Sequence, residues 1–298
     1  MRSGARFRRP LLPPRLLAIL GTGLIGASIG LRACARGDRV IGWDVDPHNA
    51  WLAFKRGALD TVASDEEAAV RDADTIVLAT PLPATLEALE RLSSNPPRAS
   101  LVVDVASVKL PVAVAGSKLL SFVPTHPIAG SERSGPAAAR ADLFENRAWT
   151  YDPSAAPDAV ERAIAFIREM GARAVPLPLA LHDRMAALTS HLPQLAAVAL
   201  ASHLAGRLND EGMLDLCGTG VRSMTRLGAS SWEMWEGILR ANAPAVAQEV
   251  RSLSTILSEI ADELETDRAY SLGSRFAAAA EAVGSLSDNE TAPTGVQD

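Results

Sequence analysis

Leu16-Leu17-Ala18-Ile19-Leu20-Gly21-Thr22-Gly23-Leu24-Ile25-Gly26 is the stretch on which the fold turns. Its five leading aliphatic residues read as a strand buried on both faces. The G-x-G-x-x-G that follows gains meaning from its place, after a strand and at the start of a helix. Gly21 allows a tight turn, Gly23 lets a pyrophosphate approach the backbone, and Gly26 lets helix and strand pack closely. Thr22, Leu24 and Ile25 complete a turn whose helix N-terminus offers unpaired N–H groups to phosphates. The second strand ends Ile41-Gly42-Trp43-Asp44. Asp44 lies 18 residues past Gly26, close to the spacing of the acid that holds the adenosine ribose. A carboxylate there repels a 2′-phosphate, so NAD is expected over NADP, and Asp46 adds negative charge nearby. Thr80-Pro81 follow the third strand, where they either touch the cofactor or make a simple turn.

Working outward, aliphatic runs at 16–20, 39–43, 75–79, 101–105, 121–125, 148–151 and 172–175 alternate with helical stretches at 24–36, 47–56, 84–92 and 157–170. This predicts an α/β class, with an N-terminal Rossmann-type doubly wound parallel sheet over residues 16–178. After Pro178 no strand is evident. Helices are expected at about 179–207, 231–242, 244–265 and 267–283, an all-helical C-terminal substrate and dimerisation domain over 179–284. Val246, Val250, Leu253, Leu257, Ile260 and Leu264 form an apolar stripe that fits either dimerisation or packing within the chain. Residues 285–298 are polar and read as a disordered tail.

The 298-residue chain is 48% hydrophobic and 21% charged, which excludes a wholly disordered chain and a disulfide scaffold. Its net charge is −6, and nothing favours nucleic acid. Cys34 and Cys217 fit a reducing, cytoplasmic setting and no metal site. The apolar run from Leu16 is too short and too glycine-rich for a membrane span. Arg2, Arg6, Arg8, Arg9 and Arg15 mark residues 1–15 as a basic disordered head. A transit-like segment and an early start codon are the alternatives.

Two further segments end at the same sheet edge. Ser107, in Asp104-Val105-Ala106-Ser107-Val108-Lys109, is a candidate site residue or a helix N-cap. His126 precedes Pro127, which biases it to an extended conformation. Its imidazole would then project into the cofactor crevice as an acid–base group.

The segments GTGLIGASIG, DVASVK, HPIAGSERSG, TSHLPQ and VRSMTRLGASSWEMW, in that order, resemble the prephenate/arogenate dehydrogenase family of tyrosine biosynthesis. The likeness spans roughly residues 16–283. It implies NAD-dependent oxidative decarboxylation of a cyclohexadienol, with hydride leaving the hydroxyl-bearing carbon and carbon dioxide leaving opposite. No metal is implied. By resemblance, His126 accepts the hydroxyl proton, Ser107 holds it, and Arg226 anchors the ring carboxylate. Ser131, Glu132, His191 and Gln194 would contact substrate, with His191 on a helix kinked by Pro193. His182 and Trp235 also match family positions near the site. A homodimer through the helical domain is implied. Fused ACT and chorismate mutase domains are not expected, so tyrosine feedback would act at the active site.

Departures from the family leave the substrate open. Gln194 stands where a histidine is common, and its amide suits the pyruvyl chain of prephenate or the alanyl chain of arogenate. Ser223 replaces an acid that would pair with Arg226. Ala106 replaces a glycine, and Trp232 falls where Asp-Pro is common. Two other readings compete. A β-hydroxyacid dehydrogenase would use a helical-domain lysine, but Lys55, Lys109 and Lys118 are the only lysines. A non-catalytic NAD sensor would have no need for His126, Ser107 and Arg226 together.

Overall fold

The computed structural model describes residues 15–130, 133–205, 207, 216–266 and 269–291. It contains the expected nucleotide-binding architecture. Strands β1 (Leu16–Leu20), β2 (Arg39–Trp43), β3 (Thr61–Val62), β4 (Thr75–Leu78), β5 (Leu101–Asp104) and β6 (Phe122–Val123) form one parallel sheet in the order β3-β2-β1-β4-β5-β6. The order reverses beside β1, which pairs with β2 and β4 in register, Leu17 opposite both Val40 and Thr75. Ligands bind open α/β sheets at such a switch point, beyond the carboxyl ends of the strands.

Side-chain alternation along β1 builds the two cores. Leu17 and Ile19 enter a cluster with Ala27 and Ile29 of α1 (Leu24–Arg36) and with Phe166 and Ile167 of α6 (Pro157–Glu169). Ala18 and Leu20 enter the opposite cluster with Leu89 and Leu92 of α4 (Leu82–Ser94) and Val112 of α5 (Leu110–Ala115). Two short helices, α2 (Pro47–Lys55) and α3 (Glu66–Val70), start at Asp46 and Asp65, whose carboxylates accept the His48 and Ala68 amides. Capping of this kind stabilises by about 1 kcal/mol each.

The structure differs from the sequence reading after Phe122. Pro124 interrupts the expected 121–125 strand, and its carbonyl accepts the Asp152 amide at 3.0 Å. The chain then enters a second, mixed sheet: β7 (Thr125–Pro127) antiparallel to β8 (Ala148–Tyr151), and β8 parallel to β9 (Arg173–Pro176). His126 is therefore the central residue of β7, opposite Thr150. It does not simply overhang a strand of the parallel sheet. Proline cannot donate a ladder hydrogen bond, so it marks the switch between sheets.

Among the described residues the helical part comprises α7 (Leu179–Ala186), α8 (Leu192–Ala205), α9 (Thr219–Thr225), α10 (Trp232–Ala241), α11 (Ala243–Glu265) and α12 (Leu272–Thr291). At the expected proline kink the structure has a π-turn over Ala187–His191, with the Leu192 amide donating to the Ala187 carbonyl. An inserted residue absorbs the strain that Pro193 would otherwise impose. Helix α12 runs on to Thr291, past the start of the expected tail at residue 285. Extending a formed helix is far cheaper than nucleating one.

The chain falls into two compact units, one up to Val246 and one from Ala247 onward. The composition change at 178/179 thus does not coincide with the division in packing. Most of the expected basic head lies outside the described residues. Arg15, its last member, is held in place by ion pairs to Asp38 at 3.3 Å and Glu169 at 2.8 Å.

Candidate active site

The first loop fits a dinucleotide. Gly21 has φ +89°, and a Cβ there would lie 2.4 Å from the Ala79 carbonyl oxygen. At Gly26 a Cβ would lie 1.9 Å from the Gly21 carbonyl oxygen. Both positions are closed to any side chain, as tight turn and helix–strand contact require. Gly23 has no neighbour within 4 Å of an added Cβ. Open space above an exposed helix N-terminus is what a pyrophosphate needs. Leu24 and Ile25 are half-buried and pack against the core below the turn.

Asp44 braces this loop. Its Oδ2 accepts the Thr22 amide at 2.6 Å and the Thr22 hydroxyl at 3.0 Å, and Oδ1 accepts the Asp46 amide at 3.0 Å. That uses three of about four acceptor directions of a carboxylate. At the β4 end, the Thr80 and Thr85 hydroxyls are 2.9 Å apart, and Thr85 also donates to the Thr80 carbonyl. Pro81 caps α4.

A buried polar network lies under His126. Asp104, fully buried at the end of β5, pairs with the ammonium of Lys109, which also donates to the Thr125 carbonyl at 2.6 Å. Asp104 further accepts the Ala106 and Thr125 amides, each at 2.9 Å. Burial pushes Lys109 down from its ordinary value, against the pull of Asp104 and Asp183. This network fixes the backbone on both sides of the histidine: the β5–α5 loop through Ala106 and Lys109, and β7 through Thr125.

His126 Nδ1 lies 2.9 Å from His182 Nε2, and His182 Nδ1 lies 2.8 Å from Asp183 Oδ1. Asp183 also accepts the Lys109 amide at 2.7 Å and the Leu110 amide at 2.9 Å. Although burial raises its pKa, donation from His182, Leu110 and Lys109 wins and holds Asp183 below the usual carboxylate range. Burial, then the charges of Lys109, His182 and His191, push His126 well below 6.5. His126 is therefore neutral near pH 7, as a proton acceptor must be.

Several expected contacts differ. The partner at His126 Nδ1 is His182, not Ser107; Ser107 is half-buried in the loop after β5. Tertiary packing brings α7 against that loop, which no local spacing reveals. Gln194 is buried rather than open to a substrate chain. Its amide nitrogen donates to the Leu227 carbonyl at 2.8 Å, and its oxygen accepts the Ser230 hydroxyl at 3.4 Å. Arg226, next to Leu227, is exposed and forms no ion pair with a described residue, consistent with Ser223 in place of an acid. Ser131 and Glu132 lie outside the described residues.

His191 is fully buried, with Nδ1 3.3 Å from the Asn242 amide nitrogen, which also donates to the Asp183 carbonyl at 2.7 Å. Its ring meets the edge of Trp235 at 5.8 Å. Its Nε2 and the Trp235 Nε1 find no partner among the described residues. Burial brings the His191 pKa down to about 4. Asp104, Lys109, Asp183 and Asn242 escaped the sequence reading. The one available signal was a charged pair, Asp104 and Lys109, bracketing an otherwise apolar strand end.

The depressed histidines predict a pH-dependent stability. Each binds no proton in the fold but gains one in the unfolded chain below about pH 6.5. The stability they supply is therefore present above that pH and is lost as pH falls toward the folded-state values. His191 alone should cost about 2 kcal/mol between pH 7 and pH 5. Urea unfolding at these two pH values measures it, and an equal midpoint at both would contradict the burial argument.

Among the described residues no group of histidine, cysteine and acid side chains could hold a metal, and no helix is long and apolar enough to cross a membrane. Residues 28–176 match the family model for the prephenate dehydrogenase nucleotide-binding domain, and residues 179–277 match that for the prephenate dehydrogenase dimerization domain. The chain is 32% identical over 266 residues to prephenate dehydrogenase of Bacillus subtilis, covering 86% of this chain and 72% of the relative. It is 31% identical to cyclohexadienyl dehydrogenase of Zymomonas mobilis, covering 77% and 82%. Its fold is similar to prephenate dehydrogenase from Aquifex aeolicus in complex with hydroxyphenyl propionate and NAD+, with a TM-score of 0.85, 23% identity, and coverage of 93% and 100%.

Proposed function

Because the chain belongs to the prephenate dehydrogenase family, we propose that it is an NAD-dependent oxidoreductase acting on prephenate. The products are 4-hydroxyphenylpyruvate and carbon dioxide, a step of tyrosine biosynthesis. The observation that carries this reading is His126, a neutral, half-buried imidazole tied at Nδ1 and positioned where β6 delivers the chain to the carboxyl edge of the nucleotide-binding sheet. Bound NAD supplies the hydride acceptor. The chain's own residues do the rest. The glycine loop and the α1 N-terminus hold the pyrophosphate, and Asp44 meets the ribose diol. His126 takes the proton from the substrate hydroxyl at Nε2, which favours hydride departure from the same carbon. Arg226, which forms no ion pair with a described residue, takes the ring carboxylate in bidentate fashion. His191 completes the substrate surroundings. Gln194 contributes through the Arg226–Ala229 turn that it braces. Aromatisation of the ring provides the driving force.

Arogenate is the second substrate reading, favoured by the 31% likeness to a cyclohexadienyl dehydrogenase. The chain works in the cytoplasm as a homodimer. Support for the dimer comes from α11 and α12, which expose Val250, Leu257, Leu264 and Phe276.

The test follows nicotinamide reduction with prephenate and arogenate, each with NAD and NADP. Turnover with NAD at least tenfold above NADP is expected, because Asp44 and Asp46 repel a 2′-phosphate. Asp44→Ser should narrow that preference. Silence with both dienols, despite NAD binding, would refute the catalytic reading.

A further inference from the structure

The hydrogen-bond order beneath His126 goes beyond holding a base in place. We propose that Asp183, His182 and His126 form a proton relay in which the substrate proton is stored on His182 and then returned. The inference rests on the dehydrogenase reading above and assigns His182 and Asp183 as positioning and proton-holding residues for it.

The argument begins at Asp183. An ionised carboxylate only accepts hydrogen bonds, so His182 Nδ1, 2.8 Å away, carries a proton. In neutral His182 the lone pair is then on Nε2. His126 Nδ1, 2.9 Å from that atom, must be the donor. Neutral His126 thus keeps its lone pair on Nε2, the nitrogen left for substrate. No other assignment of two neutral rings satisfies both contacts.

The charges on every side decide where the proton rests. His126 lies within electrostatic reach of the Lys109 ammonium, which opposes an imidazolium there. Asp104 is already committed to Lys109. His182 instead abuts Asp183, whose negative charge is held in place by two backbone amides. An imidazolium at His182 forms a charge-assisted hydrogen bond with that carboxylate; one at His126 has no such partner among the described residues.

The step balances. The substrate hydroxyl gives its proton to His126 Nε2 while His126 Nδ1–H passes to His182 Nε2. His182 retains its Nδ1 proton toward Asp183, leaving a buried imidazolium–carboxylate pair. The oxygen's electron pair forms the carbonyl as hydride departs to NAD. When carbon dioxide leaves, its bonding electrons enter the ring and the oxygen recovers its proton by the reverse path. The protein ends as it began, and the product is a phenol.

Nitrogen-15 histidine spectroscopy of the full chain near pH 7 tests the bonding order directly. The five histidines are assigned by loss of signals in single His→Gln variants. His126 and His182 should both be protonated at Nδ1 only. A proton on Nε2 of resting His126 would overturn the proposal.

Kinetics test the use of that order. His182→Gln should lower kcat by about 10²-fold, in the range of lost acid–base assistance. KM should stay within about threefold. The acidic limb of kcat/KM should move to lower pH, because His126 loses the acceptor that supports its basicity. Asp183→Asn should shift the limb the same way. An unchanged limb with raised KM would mean that His182 only shapes the pocket, and the relay would be wrong. Should either variant fail to fold, the wild-type spectrum still decides. Absence of wild-type turnover with either dienol would refute the dehydrogenase reading while leaving the spectrum to report on the hydrogen bonds.

Discussion

His126→Asn is expected to lower kcat by at least 10²-fold with prephenate as substrate, while the affinity for NAD stays within about twofold. General-base removal costs 10²- to 10⁴-fold when the proton acceptor is well placed. Asparagine keeps a polar group of similar reach, but its amide is not basic at any working pH. The nucleotide loop is a separate element, braced by Thr22 and Asp44, so cofactor binding should persist. Steady-state rates and fluorescence titration with NAD separate the two quantities. A variant with more than a tenth of wild-type kcat would remove His126 from the reaction. Partial activity that rises with pH would instead mean that hydroxide from solvent replaces the histidine.

Lys109→Met should be the most destabilising single change near the site, by about 3–5 kcal/mol, the usual cost of leaving one member of a buried ion pair alone. Lys109 and Asp104 are both inaccessible to solvent, at 2% and 0% side-chain exposure. Methionine fills the same volume but leaves the Asp104 charge with only backbone amides and loses the bond to the Thr125 carbonyl. The strand carrying His126 would loosen with it, so activity should fall along with the urea midpoint. Adding Asp104→Asn removes the stranded charge and should restore part of the stability, since contacting residues couple strongly. If Lys109→Met unfolds at the wild-type urea concentration, the pair is not buried and the account of the site's foundation fails.

Lys109 also shows where reading a sequence stops. Its place five residues after Asp104 is visible, but its role is not. Three lysines in the whole chain were informative only against a competing chemistry. That one of them sits under the catalytic strand depends on Thr125 arriving from β7, some sixteen residues later. Gln194 teaches the opposite lesson. Its place in the segment TSHLPQ suggested a group facing substrate, yet the π-turn ahead of Pro193 and the packing of the 226–229 turn enclose its amide.

The sequence by itself determined the nucleotide-binding half. Strand hydrophobicity, the three glycines and Asp44 act over short chain distances, and each is demanded by backbone geometry that local residues dictate. It also carried the family and His126 as the candidate base. Tertiary structure alone decided what surrounds that base. His182 and Asp183 lie more than fifty residues from His126, and Asn242 lies some fifty from His191. Their hydrogen bonds exist because α7 packs against the start of α5 and Asn242, at the end of α10, reaches the Asp183 carbonyl and His191. Burial and long-range pairing set the protonation of His126, and neither is encoded in the spacing of any one segment.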